Sequence, residues 1–189
     1  MTKLYIPVLA GTTREQRKSI YAARLVAEVG ATFEEVETEL IDPKDFYFPG
    51  DGNDPEGKDA RYTAVTKRAE GFFIVTPEYN HSIPGTLKRM LDSELEHYLH
   101  KPVAFAGASS GQWGGVRAIE ALVTAVREMG MVATFTDMHF PKVQDLFDDE
   151  GNLLNEAYRE FVKGAWVELI WMTKTMKLGR ETIHNSHQS

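Results

Sequence analysis

Short apolar runs alternate with amphipathic stretches along most of this chain, and this alternation limits its possible folds more than any other feature. Five runs are rich in the branched and aromatic residues typical of strands, and they occupy residues 3–11, 33–42, 71–76, 101–109 and 131–136. Apolar residues at helical spacing predict helices at 19–30, 60–70, 83–98, 116–130 and 153–176. Because parallel strands need a connection long enough to hold a helix, this order predicts an α/β fold, a three-layer sandwich with a five-stranded parallel sheet.

The composition predicts one globular domain and excludes several classes of function. Domains typically contain roughly 100 to 200 residues, so the 189 residues predict a single domain at 1–178 and a polar, mobile tail at 179–189. The formal charge of -7 argues against a nucleic-acid partner, and the lack of cysteine excludes disulfides and thiolate sites. No apolar run approaches the roughly 18 residues that span a bilayer. We therefore expect no membrane segment and a cytoplasmic location.

Three loops at the carboxyl ends of the predicted strands are the first candidates for a functional site. Ligands of open parallel sheets bind at this edge. The first loop, GTTREQRKS, covers residues 11–19; the second loop, TPEYNHSIPG, covers 76–85; the third loop, GASSGQWGG, covers 107–115. All three are rich in polar residues and glycine or proline, which is unusual directly after buried strands.

The first loop has the composition of an anion site. Hydroxyl and cationic groups precede a helix start, where free N–H groups and the helix dipole favour a phosphate; these residues are Thr12, Thr13, Arg14, Arg17, Lys18 and Ser19. The loop matches neither GxxxxGK[ST] nor GxGxxG, so neither a nucleoside triphosphate nor a dinucleotide of the Rossmann type is indicated. The alternative is a solvated basic turn in which Ser19 only caps the helix.

The third loop contains GASSG, which matches the GxSxG nucleophile elbow of serine hydrolases. A triad around Ser109 would need an acid and a histidine later in the chain, and the candidates are Asp137, His139 and His184. The following helix is predicted to begin only near Gly114 and Gly115, whereas an elbow turns into its helix at the serine. A glycine-rich loop that lets backbone N–H groups approach a flat polar ligand is the competing interpretation.

The PEYN motif of the second loop, with GTTR in the first loop and the serine- and glycine-rich third loop, resembles the NADPH-dependent FMN reductase family of the flavodoxin superfamily. The family includes quinone, azo-dye and chromate reductases, and the likeness covers nearly the whole chain. It implies a flavodoxin-like sheet of order 2-1-3-4-5 with non-covalent FMN at the point where the strand order reverses. It also implies a homodimer or homotetramer.

The resemblance implies that FMN-binding residues come from all three loops. The phosphate would be bound by Thr12, Arg14, Arg17, Ser19 and Ile20. The ribityl chain and the isoalloxazine edge would lie along Pro77, Glu78, Tyr79 and Asn80, mainly against their backbone. The pyrimidine side of the ring would meet Ser109, Gly111 and Gly114. No catalytic side chain and no metal are expected, because flavin N5 accepts the hydride.

The implied activity is that of an NAD(P)H-dependent FMN oxidoreductase with a ping-pong mechanism. NADPH or NADH would reduce the flavin and leave, and a quinone, free flavin, azo compound or metal oxyanion would then take the electrons. Two alternatives remain: a flavodoxin-like electron carrier reduced by a partner protein, and a serine hydrolase using Ser109. The arginine-bearing first loop differs from the threonine-rich phosphate loop usual in flavodoxins, which favours the enzyme.

Some positions depart from the family or allow two interpretations. Arg89 and Ser93 stand where asparagine and tryptophan are frequent in the family, near the pocket rim and the subunit contact, which leaves the acceptor and the oligomer open. The aromatic residues of the long loop after the second strand either cap the flavin of a partner subunit or anchor that loop; they are Phe46, Tyr47 and Phe48. The second loop also allows an interpretation in which its side chains have no functional role. Glu78 is then a surface carboxylate, Tyr79 a packed ring and His81 a solvent-facing turn residue.

Overall fold

A parallel β-sheet organises the protein, whose computed structural model describes residues 3–183. Its strands are β1 (Leu4–Tyr5), β2 (Val8–Ala10), β3 (Val36–Glu37), β4 (Leu40–Ile41), β5 (Phe72–Pro77), β6 (Pro102–Ala108), β7 (Val132–Ala133) and β8 (Met138–Phe140). The longest two, β5 and β6, pair along six residues at the centre of the sheet. All strand pairs are parallel, as the alternation of strands and helices predicts.

The five predicted strands correspond to five positions in the sheet, and three of these positions hold two short strands each. Pro7 separates β1 from β2, since proline has no N–H to donate to a neighbouring strand. Without a proline between them, β3 and β4 also share one position in the sheet, and β7 and β8 share another, where both pair with β6. The pairing β4-β2-β5-β6-β7 therefore places five strand positions in the order 2-1-3-4-5, and within residues 3–183 eight strands occupy them.

The helices match the predicted regions but not all of the predicted ends. They are α1 (Ser19–Gly30), α2 (Ala60–Arg68), α3 (Gly85–Asp92), α4 (Val116–Glu128) and α5 (Ala157–Thr182). The α3 helix is shorter than predicted, and the Ser93 hydroxyl that follows it donates to the Met90 carbonyl at 2.7 Å. The α5 helix continues to Thr182, past residue 179 where the tail is predicted to begin, and Arg180 pairs with Glu70. The remaining tail residues, 184–189, lie outside the described residues.

Two hydrophobic cores lie on opposite faces of the sheet and confirm the three-layer sandwich. The central strands alternate between them: Phe73 and Val75 pack with α1 and α5, whereas Phe72 and Ile74 pack with α2, α3 and α4. Trp166 of α5 is fully buried in the first core, and its indole N–H donates to the Val26 carbonyl at 2.9 Å. This packing fixes the carboxyl ends of the strands, and with them the three loops, at one edge.

Lys101 is a buried cation immediately before β6, and it makes folding stability depend on pH. Its Nζ donates to the Thr66 carbonyl at 2.8 Å, and burial, with a smaller effect of Arg180, lowers its pKa from 10.5 to about 8. Between these values the unfolded chain binds a proton that the folded chain does not, so stability rises with pH. We expect this group to add about 1 to 2 kcal/mol to the free energy of unfolding between about pH 8 and pH 9.5.

Urea denaturation at several pH values measures this contribution. In Lys101→Met the rise between about pH 8 and pH 9.5 should disappear, while in Lys67→Met, at an exposed position of α2, it should remain. An equal rise in both variants would contradict the assignment to Lys101.

Candidate functional site

The first loop is joined to the second loop through a buried hydroxyl. Thr12 follows β2, and a hydrogen bond of 3.0 Å joins its Oγ1 to the hydroxyl of Tyr79. The same Oγ1 accepts from the backbone N–H of Arg14 at 3.2 Å. A second contact joins the hydroxyls of Thr13 and Thr86, the latter in the first turn of α3, at 3.4 Å. The two loops therefore form one surface.

The two arginines of the first loop have different surroundings. The guanidinium of Arg17 pairs with Asp42 and donates to the Thr12 carbonyl, so both of its contacts lie within the protein. Arg14 is exposed, and among residues 3–183 its guanidinium makes no ion pair or hydrogen bond. Of the two arginines predicted to bind the phosphate, Arg14 is thus the one whose guanidinium has no partner among the described residues and can meet an anion from solvent.

The amino end of α1 provides a second element of an anion site. Lys18 stands at the N-cap and makes no side-chain cap hydrogen bond, so the interpretation of Ser19 as a cap is wrong. Ser19 and Ile20 are the first two helical residues, and both are buried. Because the first N–H groups of a helix have no partner within it, they are available to an anion that approaches from the loop.

The PEYN motif continues into a tight turn of non-glycine residues. Tyr79 and Ser82 exchange two backbone hydrogen bonds of 2.9 Å, and the residues between them, Asn80 and His81, have φ angles of 50° and 64°. Glycine usually occupies such left-handed positions in turns, so two consecutive side chains here carry a steric cost. Both residues are exposed at the edge of the sheet.

The Glu78 carboxylate is paired with Arg117, so it is not an unpartnered surface carboxylate. Its Oε1 lies 3.1 Å from Nη1 of Arg117, and its Oε2 accepts from the Arg117 N–H at 3.3 Å. Only 10% of the Glu78 side chain is exposed. The Arg117 guanidinium also lies over the ring of Trp113 at 6.0 Å. This network joins the second loop to the third loop and to α4.

Glycines allow the third loop to fold back against the end of β6. A Cβ on Gly115, whose φ is 83°, would lie 2.7 Å from the Ala108 nitrogen, and one on Gly107 would lie 2.5 Å from the Gly114 carbonyl oxygen. At Gly111, in contrast, a Cβ would meet no atom within 4 Å. The loop is therefore tightly packed on its inner side and open to solvent at Gly111.

The structure does not assemble the residues of a serine hydrolase. The Ser109 hydroxyl donates to the Gly111 carbonyl at 3.0 Å, and α4 begins seven residues later at Val116. Burial raises the pKa of Asp137, but within residues 3–183 the buried Nδ1 of His139 has no hydrogen-bond partner. His184, the third candidate, lies outside the described residues.

Sequence reasoning missed the residues that brace the loops. Asp42, Thr86 and Arg117 hold the first and second loops in place, and each is distant in sequence from its partner. The only sequence signal is their position directly after a strand or in the first turn of a helix. Arg117 and Thr86 occupy first turns of α4 and α3, and Asp42 follows β4.

Taken together, the edge of the sheet fits a flat ligand that carries a phosphate. The uncapped start of α1 and the free Arg14 suit the anion, and the open side of Gly111 suits the face or edge of a ring. These are the groups of FMN, so the donor set fits that cofactor. No group of three or more His, Asp or Glu side chains within residues 3–183 is arranged to hold a metal ion. Nor does this part of the chain have a helix with both the length and the apolarity needed to cross a bilayer.

The fold is that of flavodoxin-like flavoproteins. FerB, a flavoenzyme NAD(P)H:(acceptor) oxidoreductase from Paracoccus denitrificans, matches with a TM-score of 0.72 at 18% identity over 92% of this chain and 98% of its own. A flavodoxin from the domain Archaea matches with a TM-score of 0.62 at 15% identity over 90% and 99%. An enzyme and a flavodoxin thus share this architecture, and the likeness shows the fold alone.

Sequence comparison decides between these classes. The profile of the NADPH-dependent FMN reductase family matches residues 4–144, and the chain belongs to this family. A quinone reductase from Pseudomonas putida is 27% identical over 89% of this chain and 98% of its own length. The NAD(P)H-dependent FMN reductase PA1204 from Pseudomonas aeruginosa is 29% identical over 54% of this chain, a match that spans 58% of that protein. The family assigns oxidoreductase activity with FMN and NAD(P)H.

Proposed function

We propose that this protein transfers electrons from NAD(P)H to a small-molecule acceptor, a quinone, free flavin, azo compound or metal oxyanion, by a ping-pong mechanism at one open site. The observation that carries the proposal is the family match together with the contacts between the loops at one edge of the sheet. Thr12 of the first loop contacts Tyr79 of the second loop, and the Glu78 N–H of the second loop donates to the Ala108 carbonyl of the third loop. The chemistry supplied by bound FMN is acceptance of a hydride at N5 and its delivery, as electrons, to the second substrate.

Arg14, Ser19 and Ile20 bind the phosphate in this proposal. Arg14 supplies a charge-assisted hydrogen bond from a guanidinium that has no other acceptor among the described residues. Ser19 and Ile20 present the unpartnered N–H groups at the start of α1. Thr12 and Arg17 set the shape of the loop, because the Thr12 hydroxyl and carbonyl and the Arg17 guanidinium already have partners within the protein.

The second loop positions the ring system through its backbone. Pro77 and Glu78 leave the end of β5, where the Glu78 N–H donates to the Ala108 carbonyl at 3.0 Å. The Tyr79–Ser82 turn is held by its two backbone hydrogen bonds and by the contact of Tyr79 with Thr12, so contacts within the protein support the conformation of Tyr79 and Asn80. Such preorganisation lowers the entropy cost of binding.

The third loop provides the polar end of the ring site. Ser109 is fixed by backbone bonds to Phe140 and Val143, at 3.2 and 3.0 Å, and Gly114 is packed against His139. Gly111 leaves room for the edge of the ring. Backbone donors near the pyrimidine side stabilise negative charge that accumulates there on reduction. No side chain of the site is required to donate a proton or to act as a nucleophile.

We also propose a homo-oligomer, dimer or tetramer, and a cytoplasmic location. Exposed large apolar side chains support an assembly, and they include Phe135, Phe161 and Trp171. Size-exclusion chromatography with light scattering measures the mass, and a monomer at all concentrations would contradict the oligomer.

Anaerobic reduction of the purified protein tests the function. We expect FMN absorbance that bleaches promptly when NADPH or NADH is added and returns when a quinone is added. Bound flavin that neither nucleotide reduces would point to an electron carrier. A protein that does not bind FMN, but is labelled at Ser109 by a fluorophosphonate, would overturn the flavin assignment in favour of a hydrolase.

A further inference from the structure

The long segment between β4 and α2 displays one aromatic ring to solvent. Phe46 and Phe48 pack edge-on against the buried Tyr62, with ring centroids 5.9 and 5.3 Å away, so they anchor the segment. Tyr47 between them is 73% exposed. Its backbone N–H donates to Oδ2 of Asp59 at 3.0 Å, and Asp59 is in turn paired with Arg61 at 2.8 Å. The Tyr47 ring is therefore held outward by a fixed backbone.

Arg89 of α3 clamps the rest of this segment. Its guanidinium donates to three backbone carbonyls, those of Gly52, Pro49 and Gly57, at 2.7, 2.6 and 2.9 Å. Hydrogen bonds from an ionised donor are stronger than neutral ones, and the planar fork of arginine fixes their direction. Residues 49–57, which are rich in glycine and aspartate, are thus joined to α3 by one side chain, whereas Phe46 and Phe48 anchor the residues before them.

The clamped segment stands beside the candidate FMN site. Asp42 and Lys44, at the start of the segment between β4 and α2, join it to the first loop. Asp42 pairs with Arg17, and Lys44 pairs with Glu15 at 2.8 Å. On its other side, α3 carries both Arg89 and Thr86, and Thr86 contacts the first loop. The segment therefore borders the carboxyl edge of the sheet on the side of α3.

We propose that residues 46–57 form one side of the acceptor site. The Tyr47 ring contacts a planar aromatic acceptor such as a quinone, and Arg89 is the residue that positions residues 46–57. This inference rests on the proposed function and narrows its substrate class. Planar rings gain from offset or edge contacts with an aromatic side chain, whereas a compact inorganic anion does not. The site therefore favours quinones over metal oxyanions.

Steady-state kinetics with two acceptors tests the inference. For a planar quinone we expect Tyr47→Ser and Arg89→Met to raise KM about 3- to 10-fold with kcat within about 2-fold, since the contact is made in the ground state. KM for ferricyanide should stay unchanged in both variants. Arg89→Lys should recover part of the loss. The matched control is Lys88→Met, which removes an exposed cation from the same helix, paired with Asp92 at 2.6 Å and not with the segment.

Hydrogen exchange of the flavin-free protein supplies a readout that does not depend on activity. Amides of residues 47–57 should exchange faster in Arg89→Met and at the wild-type rate in Tyr47→Ser and Lys88→Met. An unchanged KM for the quinone in Tyr47→Ser would overturn the proposal. A smaller oligomer of Tyr47→Ser would also overturn it, because it would assign Tyr47 to a subunit contact. If neither nucleotide reduces the wild-type protein, the proposed function and the acceptor role of Tyr47 are both overturned. Hydrogen exchange in Arg89→Met would still show whether Arg89 holds residues 47–57 in place.

Discussion

Replacement of Gly115 by alanine is expected to lower the free energy of unfolding by about 2 to 4 kcal/mol and to weaken FMN binding at the third loop. Gly115 has a φ of 83°, which costs any residue with a Cβ. The added methyl would also lie 2.7 to 2.9 Å from backbone atoms of Ala108 and Gly107, and backbone cannot move aside as a side chain can. The loop must therefore shift away from β6, and with it the predicted contacts of Gly111 and Gly114.

The matched control for this change is Gly164→Ala, the same chemical change with the opposite expected sign. Gly164 is exposed in α5, and its added Cβ would meet no atom within 4 Å. Alanine is a better helix former, so we expect a gain of roughly 0.5 to 1 kcal/mol. Urea denaturation measures both values, and FMN titration of the folded proteins measures binding. Equal stability of Gly115→Ala and wild type would show that the loop is not packed as described.

The largest expected effect on cofactor affinity comes from Arg14→Gln, which should raise the Kd for FMN about 10- to 100-fold. A charge-assisted hydrogen bond contributes roughly 1.5 to 3 kcal/mol, and glutamine keeps a donor but removes the charge that complements the phosphate. Because Arg14 is exposed and has no partner among the described residues, its loss should leave the fold intact. Quenching of FMN fluorescence during titration of the apoprotein gives the Kd.

Arg24→Gln removes the same charge from the exposed face of α1, away from its amino end, and provides the control. There the guanidinium lies over the Tyr21 ring at 5.8 Å, and we expect a Kd within about 2-fold of wild type because exposed charges at a distance are screened. Riboflavin, which lacks the phosphate, should bind Arg14→Gln and wild type alike. A similar loss for riboflavin would place Arg14 at the ring and not at the phosphate.

The order and type of the elements followed from the sequence, whereas their ends often did not. The runs that become β5 and β6 are continuous and apolar because both faces of a central strand are buried, and this pattern is visible without a structure. The division of the first strand at Pro7 and the end of α3 at Asp92 depend on which hydrogen bonds are lost or replaced. The extension of α5 to Thr182 depends on Arg180 and Glu70, which meet across 110 residues.

The three loops of the candidate site were also identified from the sequence, but the roles within them were not resolved. The sequence does not distinguish Arg14 from Arg17 as a phosphate ligand. Nor does it distinguish the Glu78 carboxylate from that of a glutamate without a partner. Only the structure shows Arg17 bound to Asp42 and Glu78 bound to Arg117. In the same way, the three aromatic residues of the long loop divide into two anchors, Phe46 and Phe48, and one exposed ring.

The sequence by itself determined the parallel α/β architecture, the edge that carries the candidate site and the family, because apolar periodicity and the composition of the loops are local properties of the chain. The tertiary structure alone decided which polar groups remain free for a ligand. A side chain is free or occupied according to its neighbours, and here the neighbours come from other strands and helices that parallel pairing brings to the same edge. Arg14 faces solvent and Arg17 faces Asp42 for that reason.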